Sequence, residues 1–264
     1  MVTRTDFFTR GWVRFPAHPA TRAWAASARH AGRAALSDPG LAHWHQCEGT
    51  WFVGVDALPN DPAGAVAGSG PLTGPAVEFI ADHIGPLPPL HRAQVSVIFP
   101  GYPRPRDGET EAAFAYRQRR DAAHVDGVLA TGPERRRKVQ EPHAFILGLP
   151  LTEASADAAP LVVWEGSHEI MRRAFAAAFR GHPPARWSDL DVTEVYQAAR
   201  REIFESCRRL SLHAAPGEAY LLHRLALHGV APWGEAATAT PDGRMIAYFR
   251  PDIAGAVADW LSAP

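Results

Sequence analysis

The sequence predicts a mainly antiparallel β protein, a sandwich or jelly roll with helical additions. Short strand-like segments recur along the chain with turn residues between them. Helical spacing is gathered near the start of the chain and in one insertion at about 168–210. No internal repeat or low-complexity tract breaks the pattern, so we expect residues 1–264 to form one domain.

The predicted helices are rich in Ala or carry apolar residues at helical spacing. They cover residues 19–37, 75–85, 168–181 and 189–210. Pro39-Gly40 ends the first of them. Asp191 and Thr193 are both N-cap candidates for the last, because a short polar side chain can accept from free N–H groups there.

The predicted strands are rich in β-branched and aromatic residues and end at Gly or Pro. They cover residues 49–58, 92–103, 143–152, 160–168, 218–230 and 244–251. The polar stretch 131–142 predicts a loop, whose basic run 134–140 is either simply solvated or a lid that faces the substrate.

The composition is that of an ordinary globular protein and excludes several function classes. The formal net charge is −1 and the isoelectric point is near 6.9, so no global basic field favours nucleic acid. No apolar run approaches a membrane span, and the first residues lack the apolar region of a signal peptide. We therefore expect a cytoplasmic protein in which Cys47 and Cys207 stay reduced.

A histidine and an aspartate stand two residues apart in the otherwise small and apolar stretch 121–129. In a strand, residues i and i+2 point to the same face, so His124 and Asp126 can reach one point. The pair could hold a divalent metal, or the two side chains could simply hydrogen-bond to each other.

The best third partner among the 13 histidines is His228, which lies where an apolar strand runs into Gly229. Two histidines and one carboxylate leave coordination positions open, the arrangement of non-haem Fe(II) oxygenases. His223 is the rival ligand, although five residues along a strand would place it on the opposite face.

Other histidines of the chain have simpler interpretations. We expect His143 and His213 to be ordinary polar residues, and Ser167 with His168 to cap and start a helix.

Three further polar residues are candidates for binding an anionic co-substrate. Arg244 opens the last predicted strand, where a guanidinium can grip a carboxylate with paired hydrogen bonds. Gln94 and Ser96 lie on one face of a central predicted strand and could hydrogen-bond the same molecule. A strand-edge salt bridge for Arg244, and ordinary sheet positions for Gln94 and Ser96, stay open as alternatives.

Several segments together resemble the phytanoyl-CoA dioxygenase family over roughly residues 90–251. They are "HVD" (124–126), "APLVVWEGSHE" (159–169), "GEAYLLHRLALHG" (217–229) and "DGRMIAYFRP" (242–251), with a weaker echo in "FFTRGWVRFP" near the start. The order of the segments makes the resemblance more specific than any one of them.

The resemblance implies a double-stranded β-helix, a jelly-roll and cupin-like fold. It implies Fe(II) held by His124, Asp126 and His228, with 2-oxoglutarate as co-substrate, O2 as oxidant and Arg244 as the carboxylate anchor. Two departures are visible. Glu165 replaces the proline that is common before "GSH", and the insertion "VAPWGEAATATP" separates His228 from Arg244, so Arg250 is the reserve anchor.

Three functions follow from these residues. The leading one is an Fe(II)- and 2-oxoglutarate-dependent oxygenase that hydroxylates a C–H bond of a small molecule. The second is a metal-dependent hydrolase or isomerase that uses the same three ligands without 2-oxoglutarate. The third is a non-catalytic binding module that has kept the barrel. Formation of succinate separates the first from the other two.

Overall fold

The computed structural model describes residues 2–263. The helices are α1 (Arg4–Arg10), α2 (Pro19–Leu36), α3 (Pro75–His83), α4 (Glu111–Arg119), α5 (Ser167–Phe179), α6 (Thr193–Ser206) and α7 (Ala256–Ser262). The strands are β1 (Trp12–Phe15), β2 (His45–Gln46), β3 (Trp51–Phe52), β4 (Gln94–Ile98), β5 (Val128–Thr131), β6 (Arg136–Val139), β7 (Phe145–Pro150), β8 (Leu161–Trp164), β9 (Arg209–Leu212), β10 (Ala219–His223), β11 (His228–Val230) and β12 (Arg244–Phe249). Short 3-10 helices cover Pro39–Trp44 and Pro184–Asp189.

The strands form two main antiparallel sheets and a separate hairpin. The large sheet has the order β1-β10-β7-β12-β4-β3-β2, and the small sheet has the order β11-β8-β9. An isolated bridge between His124 and His228 adds the segment before Asp126 to the free side of β11. The two sheets do not join into a closed barrel. The prediction of a mainly antiparallel β protein with added helices is confirmed.

Alternation along the strands assigns each face of the large sheet to its own core. On β12, Met245, Ala247 and Phe249 belong to the core beneath α2 and α3. Ile246 points the other way, into a core that residues of both sheets share. The even-numbered positions of β12 therefore face the small sheet. Their side chains line the space between the two sheets.

The predicted insertion at about 168–210 contains α5 and α6, which pack on the outer side of the small sheet. Their buried faces include Phe175, Phe179, Tyr196 and Ile203, which share a cluster with Trp164 of β8. The sequence reasoning missed α4, whose N-cap Thr110 accepts a hydrogen bond from Ala113 N. Among residues 2–263, no helix has the length and apolar character that crossing a bilayer requires.

The predicted strand 218–230 is two strands in different sheets. β10 ends at His223, whose carbonyl accepts from Ala226 N at 2.8 Å and whose Nδ1 accepts from Leu225 N at 3.0 Å. This turn carries the chain from the large sheet to β11 of the small sheet. A continuous apolar run concealed the turn, because every residue from 219 to 229 is buried whichever sheet it occupies.

Two other predicted elements differ from the structure. The sequence predicts a strand at 49–58, but the strand in the structure is only Trp51–Phe52, because the chain turns at Gly54 with φ 53°. A Cβ at Gly54 would lie 2.4 Å from the carbonyl oxygen of Val95, so only glycine lets the turn approach β4 this closely.

The predicted loop 131–142 is mostly a β-hairpin, in which β5 pairs with β6 from Val128–Val139 to Thr131–Arg136. The hairpin is fixed to the start of α6. Arg136 Nε donates to Asp191 Oδ2 at 2.5 Å, and Arg137 N donates to Thr193 Oγ1 at 2.7 Å. The charges of the run concealed its strand character, because the carboxylate that pairs with Arg136 and the hydroxyl that accepts from the Arg137 backbone lie more than 50 residues away.

Ser167 does not cap α5 as the sequence predicted. The N-cap is Gly166, which makes no side-chain cap hydrogen bond. The fully buried Ser167 hydroxyl instead accepts from Leu227 N at 2.9 Å and so ties the start of α5 to the residue before β11.

We expect Ser167→Ala to lower the free energy of unfolding by about 1–3 kcal/mol, because it leaves the buried N–H of Leu227 without an acceptor. Urea unfolding followed by circular dichroism measures this change. Ser262→Ala is the control: that exposed hydroxyl bonds only within its own helix, and its loss should cost less than about 0.5 kcal/mol. Equal losses in the two variants would contradict the role of Ser167.

Candidate metal centre

The candidate site begins with a short cross-strand pairing. His124 N donates to His228 O at 2.8 Å, and His228 N donates to His124 O at 3.0 Å. The two imidazole rings consequently lie side by side, with their centroids 4.6 Å apart. Gly229 permits this approach, since a Cβ there would lie 2.1 Å from the carbonyl oxygen of Asp121.

Asp126 completes a group of three possible ligands. His124 Nε2 lies 3.1 Å from Asp126 Oδ1, and His228 Nε2 lies 3.8 Å from Asp126 Oδ2. One ligand atom from each residue can be chosen so that all three lie within 4.8 Å of one another. Ligand bonds of about 2.0–2.2 Å require donor atoms no more than about 4.4 Å apart, and the distances of 3.1 and 3.8 Å satisfy this requirement. The structure thus brings together the three residues that the sequence proposed as a metal site.

The backbone holds both imidazoles in the orientation that a metal site needs. His124 Nδ1 lies 3.0 Å from the carbonyl of Ala122, and His228 Nδ1 lies 3.0 Å from the carbonyl of Ala226. A carbonyl can only accept, so each Nδ1 donates to it, and each Nε2 faces Asp126 as the ring atom available to a metal ion. Simple hydrogen bonding between His124 and Asp126 would not require His228 to be held in the same way.

Burial and neighbouring charges set the protonation of the group. Burial alone would raise the pKa of Asp126, but Arg250, His228 and His124 together bring it well below its usual value. Burial lowers the pKa of His228 to about 4, against the opposing effect of the Asp126 carboxylate. At neutral pH the aspartate is ionised and His228 is neutral, which are the forms that bind metal ions.

The three residues open into a cavity of about 210 Å³ between the two sheets. Its apolar wall consists of Val53, Val55, Ile146, Leu161, Leu222 and Val230. Gln94 and Ser96 line the same cavity, as their shared strand face predicted. Gln94 Nε2 donates to Val53 O at 2.9 Å, and Ser96 Oγ accepts from Trp51 Nε1 at 3.0 Å. Each keeps further hydrogen-bonding capacity for a bound molecule.

Arg244 lies away from this cavity, in a narrow cleft between the sheets that Thr152 and Tyr220 also line. It is 7% exposed, and its Nη1 is buried without a hydrogen-bond partner among the described residues. The hydroxyl of Tyr220 is 3.2 Å from that of Tyr248, which lines the metal cavity. The two tyrosines therefore mark where the cleft and the cavity adjoin.

Arg250, the reserve anchor, does line the metal cavity. Its Nη1 is 3.5 Å from Asp126 Oδ2, and its backbone N–H donates to His91 Nε2 at 3.0 Å. The guanidinium thus contacts a candidate ligand directly, a contact that the sequence did not indicate.

The structure places the rival histidines elsewhere. His223 is buried against His168 and lies 2.9 Å from Arg172 Nη2. The ring of His168 contacts the carbonyl of Phe8 at 2.9 Å, and that of His213 contacts the carbonyl of Ala154 at 2.9 Å. His143 lies 3.5 Å from Glu141 and also 3.5 Å from Asp252, outside the group of three.

Sequence reasoning missed the residues of α6 that hold the ligand segment. Tyr196 accepts a hydrogen bond from Val125 N at 3.0 Å, and Arg200 Nη2 donates to Ala123 O at 2.9 Å. Their spacing of four residues shows that they share a helix face. Nothing in that spacing connects the face with residues more than 70 positions earlier in the chain.

Several solved structures are similar to most of this chain at low sequence identity. No family model matches the chain, and no curated protein matches it. One similar solved structure is the non-heme alpha ketoglutarate dependent carbocyclase SnoK from nogalamycin biosynthesis, with 13% identity over 98% of this chain and 90% of that chain, at a TM-score of 0.49. Another is AviO1 from Streptomyces viridochromogenes Tue57, with 14% identity over 99% of this chain and 95% of that one, at a TM-score of 0.45.

A third similar structure is the non-heme alpha ketoglutarate dependent epimerase SnoN, also from nogalamycin biosynthesis. It has 11% identity over 99% of this chain and 88% of that chain, at a TM-score of 0.41. Because all three TM-scores are below 0.5, these similarities carry no conclusion about this chain, and the site rests on its own geometry.

We expect the protein to bind one Co(II) or Fe(II) ion, and His124→Ala, Asp126→Ala and His228→Ala each to abolish binding, because each removes one donor. Anaerobic metal titration with calorimetry checks this expectation. His213→Ala is the matched control and should bind as the wild type does, since its ring lies outside the group. Retained binding in a folded Asp126→Ala protein would remove Asp126 from the site.

Gly229→Ala should weaken metal binding by about 10- to 100-fold, because the new Cβ forces the ligand segment away from β11. The same titration measures the effect. Gly40→Ala provides the comparison, since its Cβ would meet only the Asp38 side chain at 3.2 Å and should leave the affinity unchanged. Equal affinity in the two variants would show that the close approach does not set the ligand spacing.

Proposed function

We propose that this protein is an Fe(II)- and 2-oxoglutarate-dependent oxygenase that hydroxylates a C–H bond of a small molecule. The observation that carries the proposal is the convergence of His124, Asp126 and His228 at the edge of a cavity between two sheets. Two imidazoles and one carboxylate occupy one side of an ion and leave the other side open. An open side suits a reaction in which a co-substrate and O2 must both approach.

The path of the chain supports a double-stranded β-helix. Strands β4, β7, β10 and β12 form the centre of the large sheet, while the His124 segment, β8, β9 and β11 form the small one. Taken in chain order, the strands alternate between the sheets except at β8 and β9, which are neighbours. A jelly roll is built by this winding. The order also agrees with the resemblance to the phytanoyl-CoA dioxygenase family.

The chemistry would come from the metal and its co-substrate. Fe(II) with 2-oxoglutarate and O2 supplies an oxidation in which 2-oxoglutarate gives succinate and CO2 while the substrate gains a hydroxyl group. His124, Asp126 and His228 would hold the ion, and the apolar wall of the cavity would keep water from the reacting carbon. Arg250 contacts Asp126 at 3.5 Å and so fixes the orientation of that carboxylate.

Arg244 remains our candidate for the carboxylate anchor of 2-oxoglutarate. A buried guanidinium with an unpartnered Nη1 and no carboxylate within 4.0 Å among residues 2–263 is costly unless an anion binds to it. Arg250 already faces the carboxylate of Asp126. Gln94 and Ser96 would complete the polar contacts of the co-substrate from β4, on the adjoining part of the cavity wall.

We expect Arg244→Lys to weaken 2-oxoglutarate binding by about 10- to 100-fold, because lysine keeps the charge but loses the paired hydrogen bonds. Metal affinity should be unchanged. Anaerobic calorimetry on Fe(II)-loaded protein measures the binding, and formation of succinate from 2-oxoglutarate reports turnover. Arg250→Lys is the matched variant, one residue beyond the end of β12, and should have a much smaller effect.

The outcomes separate the competing assignments. A larger effect from Arg250→Lys would move the anchor to Arg250. If neither variant changed 2-oxoglutarate binding, and the wild type bound metal without forming succinate, the hydrolase or isomerase function would replace the oxygenase proposal.

A further inference from the structure

A second, wider cavity of about 420 Å³ leads outward from the metal group. It shares Trp51, His124, Asp126, Val230 and Arg250 with the inner cavity, so the two are continuous at the ligands. Its lining is unusually basic and contains six arginines: Arg106, Arg117, Arg120, Arg137, Arg200 and Arg250. A substrate that enters through this cavity passes these side chains on its way to the metal group.

Only two of these arginines have a carboxylate partner in the described part of the chain. Arg117 donates to both oxygens of Glu109, at 2.8 and 2.6 Å, and Arg250 faces Asp126. The other lining carboxylate, Glu141, lies 3.5 Å from His143 instead. The remaining four guanidiniums have no carboxylate oxygen within 4.0 Å among residues 2–263, so the wall carries uncompensated positive charge.

Three of the four form an ordered row with two aromatic rings, which we call the arginine ladder: Arg137, Tyr196, Arg200, Phe204 and Arg120. Arg137 and Arg200 lie 5.9 and 5.5 Å from the centre of the Tyr196 ring. Arg200 and Arg120 lie 5.5 and 4.3 Å from the centre of the Phe204 ring. Stacking on aromatic faces fixes the planes of the guanidiniums while leaving their edges free to donate.

Backbone carbonyls position two members of the ladder close to the metal ligands. Arg200 donates to Ala123 O at 2.9 Å, and Arg137 donates to Val128 O at 3.0 Å. Arg200 Nε is buried and has no hydrogen-bond partner among the described residues. Arg200 thus places a cation beside the segment that carries His124 without a carboxylate oxygen within 4.0 Å among residues 2–263, and an anion bound nearby would stabilise it.

We propose that the arginine ladder binds a phosphate group of the substrate and thereby places the carbon to be oxidised at the metal group; this rests on the proposed function. A row of guanidiniums without carboxylate partners suits a phosphate monoester, which carries about −1.5 to −2 charge at pH 7, better than a single carboxylate. Arginine forks also match phosphate oxygens in paired hydrogen bonds. The substrate is then a phosphorylated small molecule whose apolar portion enters the inner cavity.

The test uses metal-free protein and inorganic pyrophosphate as the probe, so that binding does not depend on turnover. Calorimetry at low ionic strength compares the wild type with Arg120→Gln/Arg137→Gln. The matched control is Arg119→Gln/Lys138→Gln, which removes the same charge from the adjacent positions, neither of which lines the cavity. We expect the ladder variant to weaken pyrophosphate binding by about tenfold or more and the control by less than about twofold.

Tricarballylate, which has three carboxylates and no phosphate, identifies the anion. Weaker binding of tricarballylate than of pyrophosphate, together with the loss in the ladder variant, supports a phosphate site. Absence of pyrophosphate binding, equal losses in the two double variants, or tighter binding of tricarballylate would overturn the proposal. Wild-type succinate formation is measured separately: its absence refutes the oxygenase function, whereas the pyrophosphate result still decides whether the ladder binds phosphate.

Discussion

The two backbone hydrogen bonds between His124 and His228 are the constraint on which the site depends. They hold the two imidazoles side by side. Asp126 follows His124 by two residues, so its carboxylate lies near both rings. Two features stabilise this pairing. Gly229 leaves space for the close approach of the two strands. Tyr196 and Arg200 of α6 hydrogen-bond to the backbone of the segment that carries His124 and Asp126. The arrangement of the three candidate ligands is therefore a property of strand pairing more than of the side chains alone.

Strand β12 links the stability of the fold to its chemistry. Its odd-numbered residues pack under α2 and α3, while its even-numbered residues face the small sheet and include Arg244 and Tyr248. Burying charged groups along a core strand is costly unless they have partners. Asp126 supplies one for Arg250, whereas Arg244 has no carboxylate oxygen within 4.0 Å among residues 2–263. Arg244 thus lies in the cleft between the sheets, and Arg250 lies at the metal cavity.

The candidate ligands could be singled out from the sequence because the signal of each is local. His124 and Asp126 stand two apart, and His228 lies beside a glycine at the end of an apolar run. What could not be predicted depends on contacts between distant residues. The hairpin at 128–139 is held by hydrogen bonds to Asp191 and Thr193, which are distant in the sequence. The turn after His223 leaves no sequence signal, because every neighbouring residue is buried. The contact between Arg250 and Asp126 likewise joins positions 124 residues apart.

The helical excursion between β8 and β9 has a consequence for how such a protein can change. It leaves the small sheet after Trp164 and returns at Arg209, and these two residues are paired across the strands. Its ends therefore already meet, so the excursion could be replaced without altering the sheet register. The candidate metal ligands lie outside it, whereas Tyr196, Arg200 and Phe204 lie within it. An exchange of this stretch would therefore keep the three candidate ligands in the chain but remove the contacts by which Tyr196 and Arg200 hold the backbone of the segment that carries two of them.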